Sequence, residues 1–279
     1  MKKHFIIFVI IFIILATVFV SYSIYCENTI KIRNYKLTTE KLDTKIHFVL
    51  ISDLHEKEFG ENNKELIEKI KNQSPDFIAF SGDMISRDCD DLTVMKSLLK
   101  ELVKIAPTYC VLGNHERENY FDFDFKTEIN STGAVLLDNA YVRFRKNGES
   151  FLIGGLSDYP YYDRYAPDYD IPERYFWDEF NEMSKDNYTI LLHHQPEYIS
   201  KDAQTSGVDL IVCGHTHGGQ FQIPFIGGLV APNQGLFPKY DVGEFDFEHT
   251  KMIISAGLGN PVSIPRLNNC PDITVIDIN

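Results

Sequence analysis

The sequence predicts an α/β fold of the α+β kind, preceded by one N-terminal transmembrane helix. Three observations lead to this prediction. Residues 5–25 form an apolar run without a single charge. From residue 45 onwards, candidate strands alternate with candidate helices, which is typical of a sheet with crossovers and parallel strands. The second half of the chain is richer in candidate strands.

The N-terminal apolar run is long enough to cross a membrane, because about 20 helical residues span a hydrocarbon core of ~30 Å. A cleaved signal peptide is the alternative, since "SYS" at 21–23 has the small-x-small pattern of a cleavage site. The run is long for a signal peptide, which favours an uncleaved anchor. We therefore divide the chain into an anchor or signal segment at 1–28, a linker at 29–44 and a domain at 45–279.

The charges that flank this segment do not settle its orientation. Lysines precede it, and lysines and an arginine follow it, so the positive-inside count does not assign a side. Anchored proteins with this layout usually carry their domain outside the cytoplasm. We expect a single-pass protein of the cell membrane with an extracytoplasmic domain.

The first half of the domain shows the alternating pattern most clearly. Strands are predicted at 45–52, 76–82 and 108–114, and helices at 62–72 and 91–105. In the first of these helices, Leu66, Ile67 and Ile70 fall on one face, as expected for a helix that packs on a sheet.

The second half is predicted to contain one helix, Pro172–Ser184, and many strands. The strand candidates are 134–139, 141–147, 150–158, 188–194, 208–214, 251–257 and 272–279. The segment 158–175 is rich in tyrosine and turn residues. It is interpreted either as a surface excursion or as an aromatic wall beside a functional site.

Composition limits the classes of function. The chain has 27 Lys+Arg against 40 Asp+Glu, a net charge of −13, so no nucleic acid is expected on a broad basic face. Phosphate substrates stay possible, because bound metal ions supply local positive charge. Five cysteines without a CxxC pair predict neither a disulfide framework nor a structural zinc site.

Polar side chains follow five of the predicted strands at the point where each strand ends. These clusters are Asp53-Leu54-His55, Gly82-Asp83, Gly113-Asn114-His115-Glu116, His193-His194-Gln195-Pro196 and Gly214-His215-Thr216-His217. They contain six of the nine histidines, which a random scatter would not produce. Because sites in α/β sheets form at the carboxyl ends of strands, these side chains are expected to meet.

Each cluster alone has a simpler interpretation. Gly82-Asp83 would suit a turn, Gly113 to Glu116 a helix N-terminus, and the adjacent histidines a solvated strand end. The Gly-His-Thr-His cluster is the strongest single signal, because alternate strand residues point the same way and glycine permits close approach. The ordered set of all five favours a metal site.

The types of side chain indicate the metal. Oxygen and imidazole ligands without thiolate suit Mn, Fe or Zn. Two Asp, one Asn and three or more His are too many for one tetrahedral zinc. They suit two divalent ions sharing a bridging carboxylate, ~3.5–4 Å apart, which is an arrangement used for in-line displacement at phosphorus.

The ordered motifs D-x-H, G-D, G-N-H-E, H-x-P and G-H-x-H resemble those of the calcineurin-like metallophosphoesterase superfamily. The chain is most similar to the bacterial branch with an N-terminal membrane or signal segment, over about residues 45–279. The resemblance implies a four-layer αββα sandwich of two mixed β-sheets with flanking helices.

The resemblance also implies a role for each motif residue. The implied metal ligands are Asp53, His55, Asp83 and His217 for the first ion, and Asp83, Asn114, His194 and His215 for the second. Asp83 would bridge the two ions. His194 occupies the H-x-P position, with its neighbour His193 as the rival ligand. His115 would act as catalytic acid or hydrogen-bond donor at the leaving-group oxygen.

The implied reaction is hydrolysis by in-line attack of a metal-bridging hydroxide on phosphorus. A membrane-anchored enzyme of this kind is expected to cleave phosphodiester or pyrophosphate bonds in envelope or lipid-linked nucleotide-sugar substrates. Arg266 is a candidate substrate contact to phosphate, with a structural ion pair as the alternative. The second hypothesis is a non-catalytic, membrane-tethered protein that binds metal or a partner on the same scaffold. The sequence leaves the oligomeric state undetermined.

One position departs from a related motif. In "GDMISRD", Ser86 stands where the protein Ser/Thr phosphatases of the superfamily have an Asp that orients the catalytic histidine. The departure argues against a phosphoprotein phosphatase, and Arg87 is most simply interpreted as a surface residue.

Overall fold

The computed structural model describes residues 2–119, 122–157, 172–262 and 264–279 of the chain. Within these ranges the α-helices are α1 Lys2–Asn28, α2 Lys64–Lys71, α3 Thr93–Leu102, α4 Asn114–Glu118, α5 Phe125–Asn130, α6 Pro172–Met183 and α7 Pro196–Ala203. Short 3₁₀ turns lie at Glu61–Asn63 and His217–Gly219. Residues 158–171, most of the tyrosine-rich segment, lie outside the described residues, so its two interpretations stay open.

The strands before α6 are β1 Lys31–Leu37, β2 Ile46–Ile51, β3 Phe77–Phe80, β4 Thr108–Cys110, β5 Val135–Leu136, β6 Ala140–Lys146 and β7 Glu149–Gly155. Those that follow are β8 Thr189–Leu192, β9 Leu210–Cys213, β10 Gln222–Ile223, β11 Gly227–Gly228, β12 Val230–Ala231, β13 Gly235–Leu236, β14 Gly243–Asp246, β15 Lys251–Ile254 and β16 Asp272–Ile278.

These strands form two six-stranded sheets and two small hairpins. The first sheet has the order β1-β16-β2-β3-β4-β5 and the second β14-β15-β9-β8-β7-β6. In the first sheet β2 to β5 are parallel, and β16 runs antiparallel to β2. In the second sheet β15, β9, β8 and β7 are parallel, with antiparallel β14 and β6 at the edges. Both sheets are therefore mixed.

Three apolar clusters show how the layers stack. The middle cluster joins the two sheets, with Phe48 and Phe77 of the first sheet and Ile190 and Val212 of the second. A second cluster packs α2, α3 and α5 on the outer face of the first sheet. A third packs α6 and α7 on the outer face of the second sheet. The order is helix, sheet, sheet, helix, which confirms the four-layer sandwich.

The central strands are almost continuously apolar because both of their faces are covered. All four residues of β3, β8 and β9 are buried. This pattern is typical of parallel strands between two layers, and it explains why these strands were predictable as short apolar runs.

The predicted linker at 29–44 differs from the structure. Lys31–Leu37 in this segment forms β1, which pairs in parallel with the whole of β16. Its side chains alternate between exposed and half-buried positions, as on an edge strand with one covered face. The folded part of the chain thus begins before residue 45.

Helix α1 is apolar along its length and long enough to cross a membrane, a property it shares with signal sequences. Its apolar side chains from Phe5 to Val20 are exposed. Ser23 and Cys26 near its end are buried, because the last turn packs against the loop that precedes β16. The helix therefore presents a free apolar span and a docked end.

Candidate metal centre

The candidate ligands follow parallel strands of both sheets. Asp53, Asp83 and Asn114 come after β2, β3 and β4 of the first sheet, and His194 and His215 come after β8 and β9 of the second. Because the carboxyl ends of parallel strands meet at one edge of a sheet, the two sheets deliver these side chains to one place.

The first group of candidate ligand atoms belongs to Asp53, His55 and His217. These atoms all lie within 4.8 Å of one another, close enough to hold one metal ion. Nε2 of His217 is 3.6 Å, and Nε2 of His55 3.9 Å, from Oδ1 of Asp53. All three side chains are buried. One carboxylate and two imidazoles are a donor set that suits a transition-metal ion.

The second group belongs to Asp83, His194 and His215. Nε2 of His194 is 3.1 Å from Oδ2 of Asp83. The same oxygen is 3.8 Å from Nε2 of His55, so the Asp83 carboxylate lies between the two groups. This is the position that a bridging ligand would need.

Two buried atoms test whether a metal fits. Nε2 of His55 and Oδ1 of Asn114 are buried and have no hydrogen-bond partner among the described residues. Buried polar atoms are normally satisfied, and leaving one unpaired costs about 1–3 kcal/mol. Nε2 of His55 lies 3.9 Å from Asp53 Oδ1 and 3.8 Å from Asp83 Oδ2, and both unpaired atoms have a lone pair that a cation can accept. The residues present therefore fit a pair of divalent cations.

The protonation states fit as well. Burial disfavours ionisation of Asp53 and Asp83, but neighbouring imidazoles, chiefly His217 for Asp53 and His194 for Asp83, outweigh it and lower the pKa of both carboxyls. Burial lowers the pKa of His55 to about 4 and that of His217 well below its usual value. Ionised carboxylates and neutral imidazoles are the forms that bind metal.

Carbonyl groups behind the histidines orient their rings. Nδ1 of His194 lies 2.7 Å from the Ser81 carbonyl, and Nδ1 of His55 lies 3.2 Å from the Ile85 carbonyl. An Nδ1–H that donates to a carbonyl leaves the Nε2 lone pair for a metal. The adjacent His193 places its Nδ1 3.0 Å from the Leu156 carbonyl and belongs to neither group.

The backbone at the ligands is unusual. Asp53, His55, Asp83, His215 and His217 all have positive φ, between 47° and 71°. Non-glycine residues rarely adopt this region, and such strain of about 1–3 kcal/mol per residue concentrates at functional sites.

This geometry corrects the interpretation of the Gly-His-Thr-His cluster. The pair was expected at strand spacing, but β9 ends at Cys213 and His217 begins a 3₁₀ turn. The reversal of the backbone sends His215 to the second group and His217 to the first. A continued strand would have pointed both rings to the same side.

Glycines at two turns permit the close approach that the sequence suggested. A Cβ on Gly113 would overlap Oδ1 of Asp83, and a Cβ on Gly214 would overlap Oδ2 of Asp53. Neither position has positive φ, so lack of space is what excludes a side chain at each.

His115 lies at the more open side of the site. Its side chain is 13% exposed, and its Nε2 is 3.8 Å from Oδ2 of Asp83. Its backbone N–H donates to Oδ1 of the same carboxylate. His115 also forms a possible ligand group with His55 and Asp83, so the geometry allows it to hold metal or to face a substrate.

Arg266, the candidate phosphate contact, is fully buried. Its Nη1 donates to the Ala256 carbonyl and its Nη2 to the Gly259 carbonyl, and Nη2 lies 3.2 Å from Nδ1 of His217. These contacts give no support to a phosphate contact. They place Arg266 behind the candidate ligand His217, which neither alternative from the sequence anticipated.

Two glutamates were not singled out from the sequence. Glu116 is buried and accepts from four backbone N–H groups, those of Asp83, Met84, Ile85 and Gly113. Burial and the nearby Asp83 raise its pKa to about 7. These hydrogen bonds connect the turn that carries Asp83 to α4. Its position in G-N-H-E was the only signal.

Glu197 is the second of these glutamates, and it contacts His215 of the second group of candidate ligands. Its Oε1 is 3.3 Å from Nε2 of His215, and it also accepts from Nδ2 of Asn233. Nδ2 of Asn233 lies 3.2 Å from the same Nε2. These contacts fix the ring of His215. Arg87, by contrast, is exposed and pairs with Glu118 at the surface.

Comparisons with known proteins agree with the arrangement. Residues 46–219 match the family model described as Calcineurin-like phosphoesterase. Uncharacterized metallophosphoesterase YkuE of Bacillus subtilis (strain 168) is 28% identical over 236 residues, covering 82% of this chain and 78% of the relative. Phosphodiesterase YaeI of Escherichia coli (strain K12) is 27% identical over 214 residues, covering 74% of this chain and 71% of the relative.

A solved structure shows the same fold. It is described as GAP50, the anchor in the inner membrane complex of Plasmodium, with a TM-score of 0.51. It is 14% identical and covers 84% of this chain and 81% of its own. At this identity the likeness concerns the fold alone.

Proposed function

The chain belongs to the calcineurin-like phosphoesterase family, and from this premise we propose that it is a membrane-anchored phosphohydrolase with two divalent cations. It would cleave phosphodiester or pyrophosphate bonds in envelope or lipid-linked nucleotide-sugar substrates. The observation that carries the proposal is the position of the Asp83 carboxylate, which belongs to a ligand group on either side. Mn, Fe or Zn suit these donors.

The ligands would divide as two overlapping sets. Asp53, His55 and His217 would hold one ion, and Asn114, His194 and His215 the other, with Asp83 shared. When bound, two such cations neutralise charge on phosphoryl oxygens and lower the pKa of a coordinated water.

His115 would act on the leaving group. It is the most exposed of the grouped histidines and lies beside the shared carboxylate, so a substrate that reaches Asp83 also reaches its ring. From there its Nε2–H would donate a hydrogen bond or a proton to the oxygen that departs from phosphorus. Asp83 Oδ1 accepts from the backbone N–H of His115 and so keeps the residue in place.

Two features support a substrate at a membrane. Helix α1 has the length and apolar character of an anchor. The two hairpins that follow His217 in the chain carry exposed apolar side chains, Phe225 and Ile226 in the turn of the first and Leu236 and Phe237 at the end of the second strand of the other. Exposed apolar groups of this size are typical of surfaces that meet a partner or a membrane. An anchored site beside such exposed apolar side chains suits substrates whose phosphate lies at a lipid surface.

Metal analysis combined with a substrate panel tests the proposal. The full chain in detergent would be loaded with Mn, Fe or Zn and assayed with an aryl phosphodiester, an aryl phosphomonoester and a nucleotide-diphosphate-linked lipid. We expect two equivalents of metal and faster cleavage of the diester and the lipid-linked pyrophosphate than of the monoester. Preferential hydrolysis of the monoester would contradict the substrate class. Two bound metals with no turnover of any substrate would favour the non-catalytic alternative.

A further inference from the structure

Two cysteines from opposite ends of the chain meet beside the candidate metal centre. Sγ of Cys26, in the last turns of α1, lies 3.0 Å from Sγ of Cys270, which precedes β16. Both are buried. The remaining cysteines have other surroundings, Cys89 beside Glu56 and Cys110 and Cys213 within the two outer apolar clusters.

We propose that Cys26 and Cys270 form a disulfide bond that fastens the end of the anchor helix to the domain. The two S–H bonds break and one S–S bond forms. Two electrons and two protons pass to a protein or low-molecular-weight disulfide, which is reduced to two thiols. The sulfur atoms need to approach by only ~1 Å to reach the bond length of about 2.05 Å.

Other contacts hold the same two segments together, so the bond would reinforce an existing interface. Ser23 Oγ donates to the carbonyl oxygen of Arg266 at 2.9 Å. The backbone N–H of Arg266 faces Oε1 of Glu27 at 3.4 Å, and Tyr22 reaches Asn268. The helix end and the loop before β16 are thus apposed along several residues.

The fastened loop also supports a metal ligand. Arg266 lies against Nδ1 of His217, and Nδ2 of Asn269, the residue before Cys270, donates to the His217 carbonyl at 2.6 Å. A covalent bond at Cys270 would therefore restrain the groups that orient His217. The anchor helix and the metal centre would be linked through this one loop.

The disulfide would also indicate on which side of the membrane the domain lies. Disulfides persist on the oxidising side of a membrane and are rare in the cytosol. The bond would accordingly form when the domain is extracytoplasmic. Its formation does not depend on the phosphoesterase reaction, so either proposal could fail without the other.

Counting thiols in the full chain tests the proposal. The protein would be produced with its natural membrane targeting, purified in detergent without reductant, denatured, and labelled with a maleimide polymer that shifts its mobility for each free thiol. We expect three labelled thiols before reduction and all five cysteines labelled after it. Cys26→Ser and Cys270→Ser should each show four labelled thiols with no change on reduction.

Cys89→Ser is the matched control, and it should keep the change on reduction, from two labelled thiols to four. The wild-type chain supplies a second measurement that needs no variant, a cross-linked peptide containing Cys26 and Cys270 in mass spectrometry.

We also expect reduction to lower the Tm by roughly 5–10 °C and to speed loss of metal on dialysis. Five labelled thiols in the wild type, even after incubation with oxidised glutathione, would overturn the proposal. A disulfide-linked dimer through Cys26 would overturn it too.

Discussion

At the scale of single residues, the candidate centre depends on two carboxylates that are held by backbone N–H groups. Asp53 accepts from the N–H of His215 with both oxygens, and Asp83 accepts from the N–H of His115. Each carboxylate is thereby fixed by a residue from a different strand end. Such support keeps ligands within the narrow range of positions that a metal site requires.

His115 is the residue whose role is most open to measurement. In His115→Ala, turnover of a diester should fall by ~10²–10⁴ because the donor at the leaving group is lost, while metal content stays unchanged. Steady-state kinetics and metal analysis of the same sample measure the turnover and the metal content. His249→Ala, at an exposed position, is the control and should alter neither quantity. A loss of metal in His115→Ala would instead assign His115 as a ligand.

The buried histidines give the metal-free protein a defined pH dependence. Because the pKa of His55 falls to about 4 on folding, the unfolded chain binds the proton and the native chain does not between pH 6.5 and 4. The free energy of unfolding should therefore decrease as pH falls through this window, by roughly 3 kcal/mol for His55 alone. Urea titrations after chelation would measure the slope. His55→Asn should flatten it, and an equal slope in that variant would contradict the assignment.

Glu116 offers a test of the turn that carries Asp83. Glu116→Gln keeps one acceptor oxygen, so backbone N–H groups on the other side lose their partner at a cost of about 1–3 kcal/mol each. We expect a lower Tm and weaker metal binding, measured by thermal unfolding and metal titration. Glu118→Gln on the same helix removes only an exposed ion pair and should change stability by less than about 1 kcal/mol. Equal effects of the two changes would refute the role of Glu116.

At the scale of elements, the site is built from the turns after strands. The turn between β4 and α4 brings Gly113 against Asp83, and the turn after β9 brings Gly214 against Asp53. The strands supply rigid positions, and the turns supply the backbone conformations that aim the ligands. Substitutions in these turns should therefore weaken metal binding more than they destabilise the fold.

Gly113→Ala tests this view of the turns. The added methyl group would overlap the Asp83 carboxylate and the backbone nitrogen of Asp83, so this candidate ligand must move. We expect metal content to fall by at least ~10-fold at limiting metal, with the secondary structure retained. Gly148→Ala is the control in a turn that carries no candidate ligand: its φ of 88° makes alanine strained although a Cβ would meet nothing within 4 Å, and this variant should keep full metal content. Equal metal content in both variants would show that the turn adapts.

The exposed apolar side chains of the two hairpins lead to a prediction about the substrate. Phe225→Ser combined with Phe237→Ser should lower kcat/KM for a lipid-linked substrate in vesicles by ~10-fold, because less apolar surface enters the bilayer. The rate with a soluble aryl diester should not change. Val135→Ser, an exposed apolar position on β5, is the control. Equal losses on both substrates would point to a structural role for these two side chains instead.

At the scale of the whole molecule, the sequence predicts the central strands well because their residues are buried on both faces. The strands Phe77–Phe80 and Leu210–Cys213 needed no tertiary information, and the candidate ligands were predicted from the residues that follow them. The edge strand Lys31–Leu37 was missed because its exposed polar side chains resemble a linker. This segment is a strand because it pairs with residues more than 200 positions away in the chain. The local sequence pattern contains no information about that pairing.

The roles of the residues that support the candidate ligands could not be predicted either, because they also depend on contacts that form only in the folded chain. Arg266 was expected to meet phosphate because a cation in a phosphoesterase suggests an anion. Its position was decided by the carbonyls of Ala256 and Gly259 and by His217, which the fold brings together. Cys26 and Cys270 likewise show no spacing motif, since they approach each other only through the docking of α1.

The parallel pairing of the first and last strands has a practical consequence. A shortened chain starting at residue 45 would uncover the whole hydrogen-bonding edge of Asp272–Ile278, whose side chains are nearly all buried. An apolar strand with a bare edge is a template for strand addition by a second molecule. Fragments trimmed to the motif region would therefore tend to self-associate, whereas those that retain Lys31–Leu37 would stay monodisperse.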